Sequence, residues 1–327
     1  MKIVFSAHDK PQDWFRSIAG NFGGAVKNNM FQIPPETGQG FLKQVYFFEG
    51  LTFTYLNFKL YEPLEFIRTS KPEAQLIPIM FFSQEIPFEQ DLDEQKKFIG
   101  YHTSNGIFMP SPQIRSNWLV PAGYWGHQIT LTVSKNWILQ ALNDHEDFYL
   151  FKLLSSGKAF YLFEALTPNM YRVIERMHDI INSDDELQRM KLHQHSMELL
   201  GLFFEKLEQR NSAWMNSNLN SSDIEEIFKV RKQLLENINS EPSLKELALS
   251  AGMCVSKLQK CFQQVFGKSI FQYALSEKMQ VGKQLLDTKR YSVSEVGYKL
   301  GYSNLSHFSK IFKKEFGLNP KEYLKSK

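Results

Sequence analysis

The sequence predicts an α+β chain of two domains: a β-rich N-terminal domain carrying a helical hairpin, and an all-α C-terminal domain built on a duplicated helix pair. Three observations lead there. The 327 residues exceed the roughly 100–200 of one ordinary domain. Up to Val133, aromatic and β-branched residues come in short runs broken by turn residues, the signature of strands. From Ser134 onward the apolar spacing becomes helical, and near the end it repeats.

Hydrophobic residues at 43% and charged residues at 22% give the balance of a globular chain, which excludes disordered and fibrous classes. The first residues hold one lysine and a short apolar stretch that Ser6, His8, Asp9 and Lys10 interrupt, so no signal-peptide core is expected. No apolar run approaches the ~20 residues of a membrane helix. A cytoplasmic chain with no membrane partner is therefore expected. Cys254 and Cys261 are the two cysteines, too few for the disulfide framework of a small secreted domain.

Candidate strands lie at Gln44 to Phe48, Leu51 to Leu60, Leu76 to Phe82, Gly106 to Met109 and Gly126 to Val133. In the last, His127, Ile129, Leu131 and Val133 alternate with Gln128, Thr130 and Thr132, the period of a half-buried strand. Several short strands in succession favour a barrel or a sandwich. Ser134 then reads as the N-cap of a short helix through Leu142. Thr167 and Pro168 supply a cap and an N1 proline for a helix with Met170, Val173, Ile174, Met177, Ile180 and Ile181 on one face. After a turn at Asn182 to Asp185, a second helix from Leu187 to Gln209 carries Leu192, Met197, Leu199, Leu200, Phe203, Phe204 and Leu207, which makes an antiparallel pair. The polar, aperiodic stretch 211–222 reads as a linker, dividing a domain at 1–210 from one at 223–327.

The second domain repeats itself. Ser243 to Gly252 and then Met253 to Gly267 correspond to Ser292 to Gly301 and then Tyr302 to Gly317. Each copy has a serine three residues before a glutamate, Glu246 or Glu295, the arrangement of a capping box. Each then meets a glycine that can turn the chain. A second helix follows, with Leu258, Phe262 and Phe266 inward in one copy and Phe308, Phe312 and Phe316 in the other. These are two helix-turn-helix units. The outward face of the first offers Ser256, Lys257, Gln259 and Lys260; the second offers Ser306, His307, Ser309 and Lys310 at equivalent positions, with Asn304 before them and Lys313 after. Hydroxyl, amide and cationic groups so placed can meet base edges and phosphates. From Ser222 to Lys327 there are 18 Lys and Arg against 11 Asp and Glu, a surplus of seven in a chain whose net charge is +3. The basic half is the one that meets a polyanion.

The segment SVSEVGYKLGYSNLSHFSKIFKKEFGLNPKEY resembles the AraC/XylS transcription regulators through Glu295, Gly301, Tyr302, Phe308, Phe312, Lys313, Lys314, Gly317, Pro320 and Tyr323. The resemblance covers about Ile224 to Lys327. It implies a seven-helix DNA-binding domain in which helices three and six read double-stranded DNA and a central helix, about Ile270 to Leu286, joins the two units. It also implies RNA polymerase as a partner, with activation and repression both left open, and an N-terminal domain, often a cupin-like barrel with dimerising helices, that senses a small-molecule effector. Four positions depart from the pattern. Lys310 and Lys278 stand where arginine is commoner, Gly282 where alanine is usual, and Cys254 where a serine-like cap is usual. Cys254 reads either as a tolerated substitution or as a redox switch.

His127, on the inward row of its strand, is the candidate effector-binding residue, against the plainer reading of a core histidine. His193 and His195 lie about 200° apart around a helix and cannot share one metal; His102 and His145 add nothing to that. No nucleophile elbow, HExxH or phosphate loop is present beyond an isolated Ser156-Gly157-Lys158, and no cysteine precedes Cys254. No catalytic residue, cofactor or metal is therefore expected. The alternative is an enzyme or a protein-interaction domain fused to a DNA-binding module.

Overall fold

A computed structural model describes residues 1–6, 11–48, 50–69, 71–82, 88–91, 99–101, 106–123, 125–142, 145–208 and 221–325. The chain divides into two compact units, Met1–Glu225 and Glu226–Lys327. The linker expected at 211–222 lies outside the described residues except for Ser221 and Ser222, which already open a helix.

In chain order the strands of the first unit are β1 (Lys2–Ser6), β2 (Met30–Gln32), β3 (Gly38–Phe48), β4 (Leu51–Leu60), β5 (Leu64–Thr69), β6 (Leu76–Phe82), β7 (Phe88–Asp91), β8 (Ile99–Tyr101), β9 (Gly106–Pro110), β10 (Ser116–Val120), β11 (Trp125–Ser134) and β12 (Tyr161–Ala165). Its helices are α1 (Pro11–Asn21), α2 (Lys135–Ala141), α3 (Tyr149–Ser155), α4 (Pro168–Ile181) and α5 (Gln188–Glu208). The strands form two sheets, β12-β9-β6-β11-β4-β3-β2 and β1-β5-β10-β7-β8. Pairing is antiparallel throughout except between β1 and β5.

The cupin-like barrel expected for this unit is not found: among the described residues the end strands of the large sheet, β12 and β2, stay unpaired with each other. Closure needs that last pairing. The reason lies in which faces are covered. Successive strand residues point to opposite faces, and in β4 both faces meet apolar cover. Leu51, Phe53 and Tyr55 join a core with Ile138, Leu153, Met170, Met177, Leu199 and Phe203 from the helices. Leu56, Phe58 and Leu60 join a second core with Ile3, Leu64, Phe66 and Val120 of the small sheet and Phe15 and Ile18 of α1. The large sheet is the middle of three layers, held from both sides rather than curled on itself. Each fully buried Leu or Phe stabilises this arrangement by about 1.5–3 kcal/mol relative to exposure.

Ser134 caps α2 by accepting from the Trp137 N–H at 3.4 Å, and Thr167 caps α4 by accepting from Met170 at 3.3 Å. The helix pair α4 and α5 buries Met170, Val173, Ile174, Met177 and Ile181 from one member and Leu192, Leu199, Leu200, Phe203 and Leu207 from the other. Met197, expected on that stripe, is exposed. Its neighbour Ser196 is buried instead, because its hydroxyl donates to the Leu192 carbonyl at 2.7 Å and satisfies itself within the helix. Arg189 anchors α5 to the sheet by donating to the carbonyls of Tyr46 and Phe47 at 3.0 and 3.3 Å, beside the register shift between Tyr46 and Phe48.

Among the described residues the second unit holds seven helices, the first of which begins ahead of its boundary: α6 (Ser221–Glu236), α7 (Leu244–Ser250), α8 (Val255–Phe266), α9 (Ile270–Asp287), α10 (Val293–Lys299), α11 (Leu305–Phe316) and α12 (Pro320–Lys325). No helix among the described residues is long and apolar enough to cross a membrane.

Candidate nucleic-acid interface

The two helix pairs of the second unit are α7 with α8 and α10 with α11. Ser243 accepts from the Glu246 N–H at 3.4 Å to start α7. Ser292 accepts from Glu295 at 3.3 Å to start α10, and the Glu295 carboxylate accepts the Ser292 N–H at 2.7 Å. The reciprocal box is thus complete in the second copy and half-made in the first. Those hydrogen bonds, the Ser292 backbone N–H foremost, hold the Glu295 carboxyl below its ordinary value. Gly252 and Gly301 take φ of 60° and 79° between the paired helices, a left-handed turn that a side chain would strain.

Helices α8 and α11 are both twelve residues long and both end at a left-handed glycine, Gly267 and Gly317. Their inner faces are aromatic. Phe262 sits 4.6 Å from Phe266 and 5.3 Å from Tyr273, ring to ring. Phe312 sits 5.8 Å from both Phe308 and Tyr323. Such pairs are edge-on or tilted, the arrangement that aromatic quadrupoles favour. With each inner face spent on the core, the opposite one remains. Ser256, Lys257 and Lys260 are exposed on α8, and Ser306, His307 and Lys310 on α11, while Gln259 and Ser309 are half-buried at matching positions. Lys313 is exposed in the last turn of α11.

Asn304 is placed at the head of α11, but its side chain serves the helix: Oδ1 accepts from the N–H groups of Ser306 and His307 at 2.9 and 3.2 Å. The equivalent residue in α8, Cys254, makes no capping hydrogen bond. Its sulfur lies 3.3 Å from the Ser256 hydroxyl. The thiol is held below its ordinary value, first by Ser256 and then by the Lys257 backbone N–H. Cys261 is buried.

One feature escaped the sequence reading, and two of the departures gain a role. Arg231, 1% exposed, donates from Nε to the Tyr273 hydroxyl at 2.5 Å and lies 5.9 Å from the Phe266 ring centre, so it ties α6 to α8 and α9. Its only sequence signal was a cation at an apolar register of α6. Lys278 donates to the Asn239 carbonyl at 3.3 Å and stands 5.1 Å over the Tyr302 ring; burial lowers its pKa. Gly282 also gains a reason. A Cβ there would meet Leu300 Cδ1 at 2.8 Å, so the usual alanine would require that methyl to shift.

In the first unit His127 is half-buried on β11, 3.5 Å through Nδ1 from the Tyr55 hydroxyl. His193 instead stacks against Phe47 and Phe48, and His195 pairs with Glu198 at 2.9 Å. His145 is exposed, and His102 lies outside the described residues.

The helix-turn-helix domain family matches residues 231–326, from within α6 to just past α12. The C-terminal unit is an AraC-type helix-turn-helix domain. The Msm operon regulatory protein of Streptococcus mutans is 29% identical over 106 residues, 32% of this chain and 38% of its own length. The xylose operon regulatory protein of Escherichia coli is 27% identical over 115 residues, 35% of this chain and 28% of its own. The chain thus spans well under half the length of these curated relatives. Among solved structures, ToxT from Vibrio cholerae aligns with 84% of this chain and 98% of its own at 13% identity, with a TM-score of 0.30.

Proposed function

We propose that this protein is a sequence-specific DNA-binding transcription regulator of the cytoplasm, an activator acting with RNA polymerase, in which α8 and α11 read double-stranded DNA. The observation that carries the reading is the duplication: two twelve-residue helices, each with an aromatic inner face and a matched polar outer face. One such face is what any helix shows to water. Two at equivalent positions, in a stretch from Ser222 to Lys327 with a surplus of seven basic side chains, fit a ligand that presents the same surface twice along its length, as a duplex does. In this reading Lys257, Lys260, Lys310 and Lys313 meet phosphates or guanine edges, Ser256, Gln259, Ser306, His307 and Ser309 meet bases, and Asn304 sets the start of α11. The names of the relatives, both operon regulators, support it.

The N-terminal domain read from the sequence, 1–210, is taken as the one that senses a small-molecule effector and joins two copies of the chain. The test of the whole is selection of genomic fragments by the purified chain, followed by mobility shift against competitor DNA of unrelated sequence. Retention of particular fragments against that competitor is the expected result. Indifference to sequence, or no retention at all, would overturn the reading.

A further inference from the structure

Three side chains from three elements meet on the face of the large sheet that α4 covers. Tyr55 comes from β4, His127 from the adjoining β11 and His178 from α4. The Tyr55 oxygen lies 2.5 Å from Nε2 of His178 and 3.5 Å from Nδ1 of His127, and the two imidazole centres are 5.3 Å apart. Two ring nitrogens and one phenol oxygen therefore converge. Tyr55 is buried and both histidines are half-buried, so the cluster lies at the edge of the core with one side toward solvent.

The geometry points to a site for a divalent transition-metal ion, Zn2+ in particular, held by Nδ1 of His127, Nε2 of His178 and the oxygen of Tyr55, with a fourth position open. Bonds of about 2.0–2.1 Å in a tetrahedron set donor atoms about 3.4 Å apart. The Tyr55–His127 pair already has that spacing, and the Tyr55–His178 pair needs to open by about 1 Å. Imidazole nitrogen is a preferred ligand type for zinc and copper. A ligating histidine also needs a partner for its other ring nitrogen. For His178 the group beside Nδ1 is the Asn182 amide, whose nitrogen lies 3.1 Å from it and also donates to the His178 carbonyl at 2.9 Å; reversing the amide so that its oxygen accepts from Nδ1–H gives up that carbonyl bond. Lys43 faces Tyr55 across the β3–β4 pairing, but its ammonium is drawn aside to the Gln188 side-chain oxygen.

Binding balances as one metal ion, two neutral imidazoles and one phenol giving the complex and one proton released to solvent. Sequence spacing conceals this set, because Tyr55 stands 72 residues from His127 and 123 from His178. Among the described residues no three His, Cys, Asp or Glu side chains gather in this way; the third donor here is a tyrosine. The inference stands apart from the DNA-binding reading and survives its failure.

The test is calorimetric titration of the full chain, stripped with a chelator, with Zn2+. One ion per chain is expected at this site, with proton release that shows as a buffer-dependent heat, and with affinity at least tenfold weaker in His127→Gln and in His178→Gln. Tyr55→Phe preserves the core volume and both imidazoles. It should weaken binding less and, in the Cu2+-loaded protein, abolish the phenolate-to-copper absorption band of the wild type. Thermal melting of each variant shows that the fold is retained. No uptake of Zn2+, uptake unchanged in both histidine variants, or a copper spectrum that Tyr55→Phe does not alter would each overturn the assignment.

Discussion

Cys254 offers the first N–H groups of α8 only a sulfur, a weak acceptor that makes no capping hydrogen bond, whereas Asn304 accepts from two of the corresponding groups in α11. Good caps are worth about 0.5–2 kcal/mol over residues that cannot cap. Cys254→Ser should therefore raise the melting temperature slightly, at the lower end of that range, since water already serves an exposed helix start. It should leave DNA affinity unchanged with or without peroxide. A wild type that loses affinity in peroxide beside a variant that keeps it would instead make the lowered thiol pKa a redox switch. Gly282 sets propensity against space. Alanine in a helix interior is favoured over glycine by about 1 kcal/mol, but the new Cβ would press on Leu300 Cδ1 at 2.8 Å in a closed core, and overpacking typically costs about 1–3 kcal/mol. Gly282→Ala should give no gain in thermal stability; a rise equivalent to about 1 kcal/mol would show that Leu300 yields freely.

At the scale of elements, β11 and α4 are joined through His127, whose pKa burial lowers first and the neighbouring His178 lowers further. A histidine with a depressed folded pKa stays neutral while the unfolded chain, titrating near 6.5, takes up its proton. Its contribution to stability is full above about pH 6.5, declines as the pH falls below that, and is gone once the depressed folded value is passed. Metal-free protein should thus melt at lower temperature at pH 5 than at pH 7, and His127→Gln should reduce that difference; an equal difference in both proteins would remove His127 from the account. Helix α5 carries another consequence. Met190 and Met197 are 62% and 39% exposed and share a stripe with half-buried Phe204 and with Gly201, whose Cα faces open space. We propose this stripe as the surface that joins two chains, so Met197→Glu should shift sedimentation of the full chain toward monomer without changing its melting curve. A wild type that stays monomeric at high concentration would contradict it.

For the whole molecule, what could be read in advance followed how local its signals were. The helix pairs of the second unit were legible because their causes lie within a few residues of one another: Ser292 and Glu295, the turn glycines, and phenylalanines four apart. In the first unit β11 and α4 were legible for the same reason, by alternation or by Thr167 and Pro168. Sheet closure was not, since alternation gives a strand its faces without saying which edges pair, and the cover over both faces of β4 comes from segments as distant as α1 and α5. Short β5, β10 and β12 and the helix α1 lack period or caps strong enough to announce them. The DNA-contact candidates were legible as positions, while the His127, His178 and Tyr55 cluster was not, because only folding brings it together. The most direct test of the central claim is the salt dependence of affinity for a DNA fragment selected by the wild type, compared with the Lys260→Ala/Lys310→Ala protein. If both lysines meet phosphates, log affinity falls steeply against log salt in the wild type, and the variant binds more weakly with a slope shallower by about two, near 0.9 for each contact. Equal affinity and equal slope in the two proteins would contradict the assignment of α8 and α11 as the helices that meet DNA.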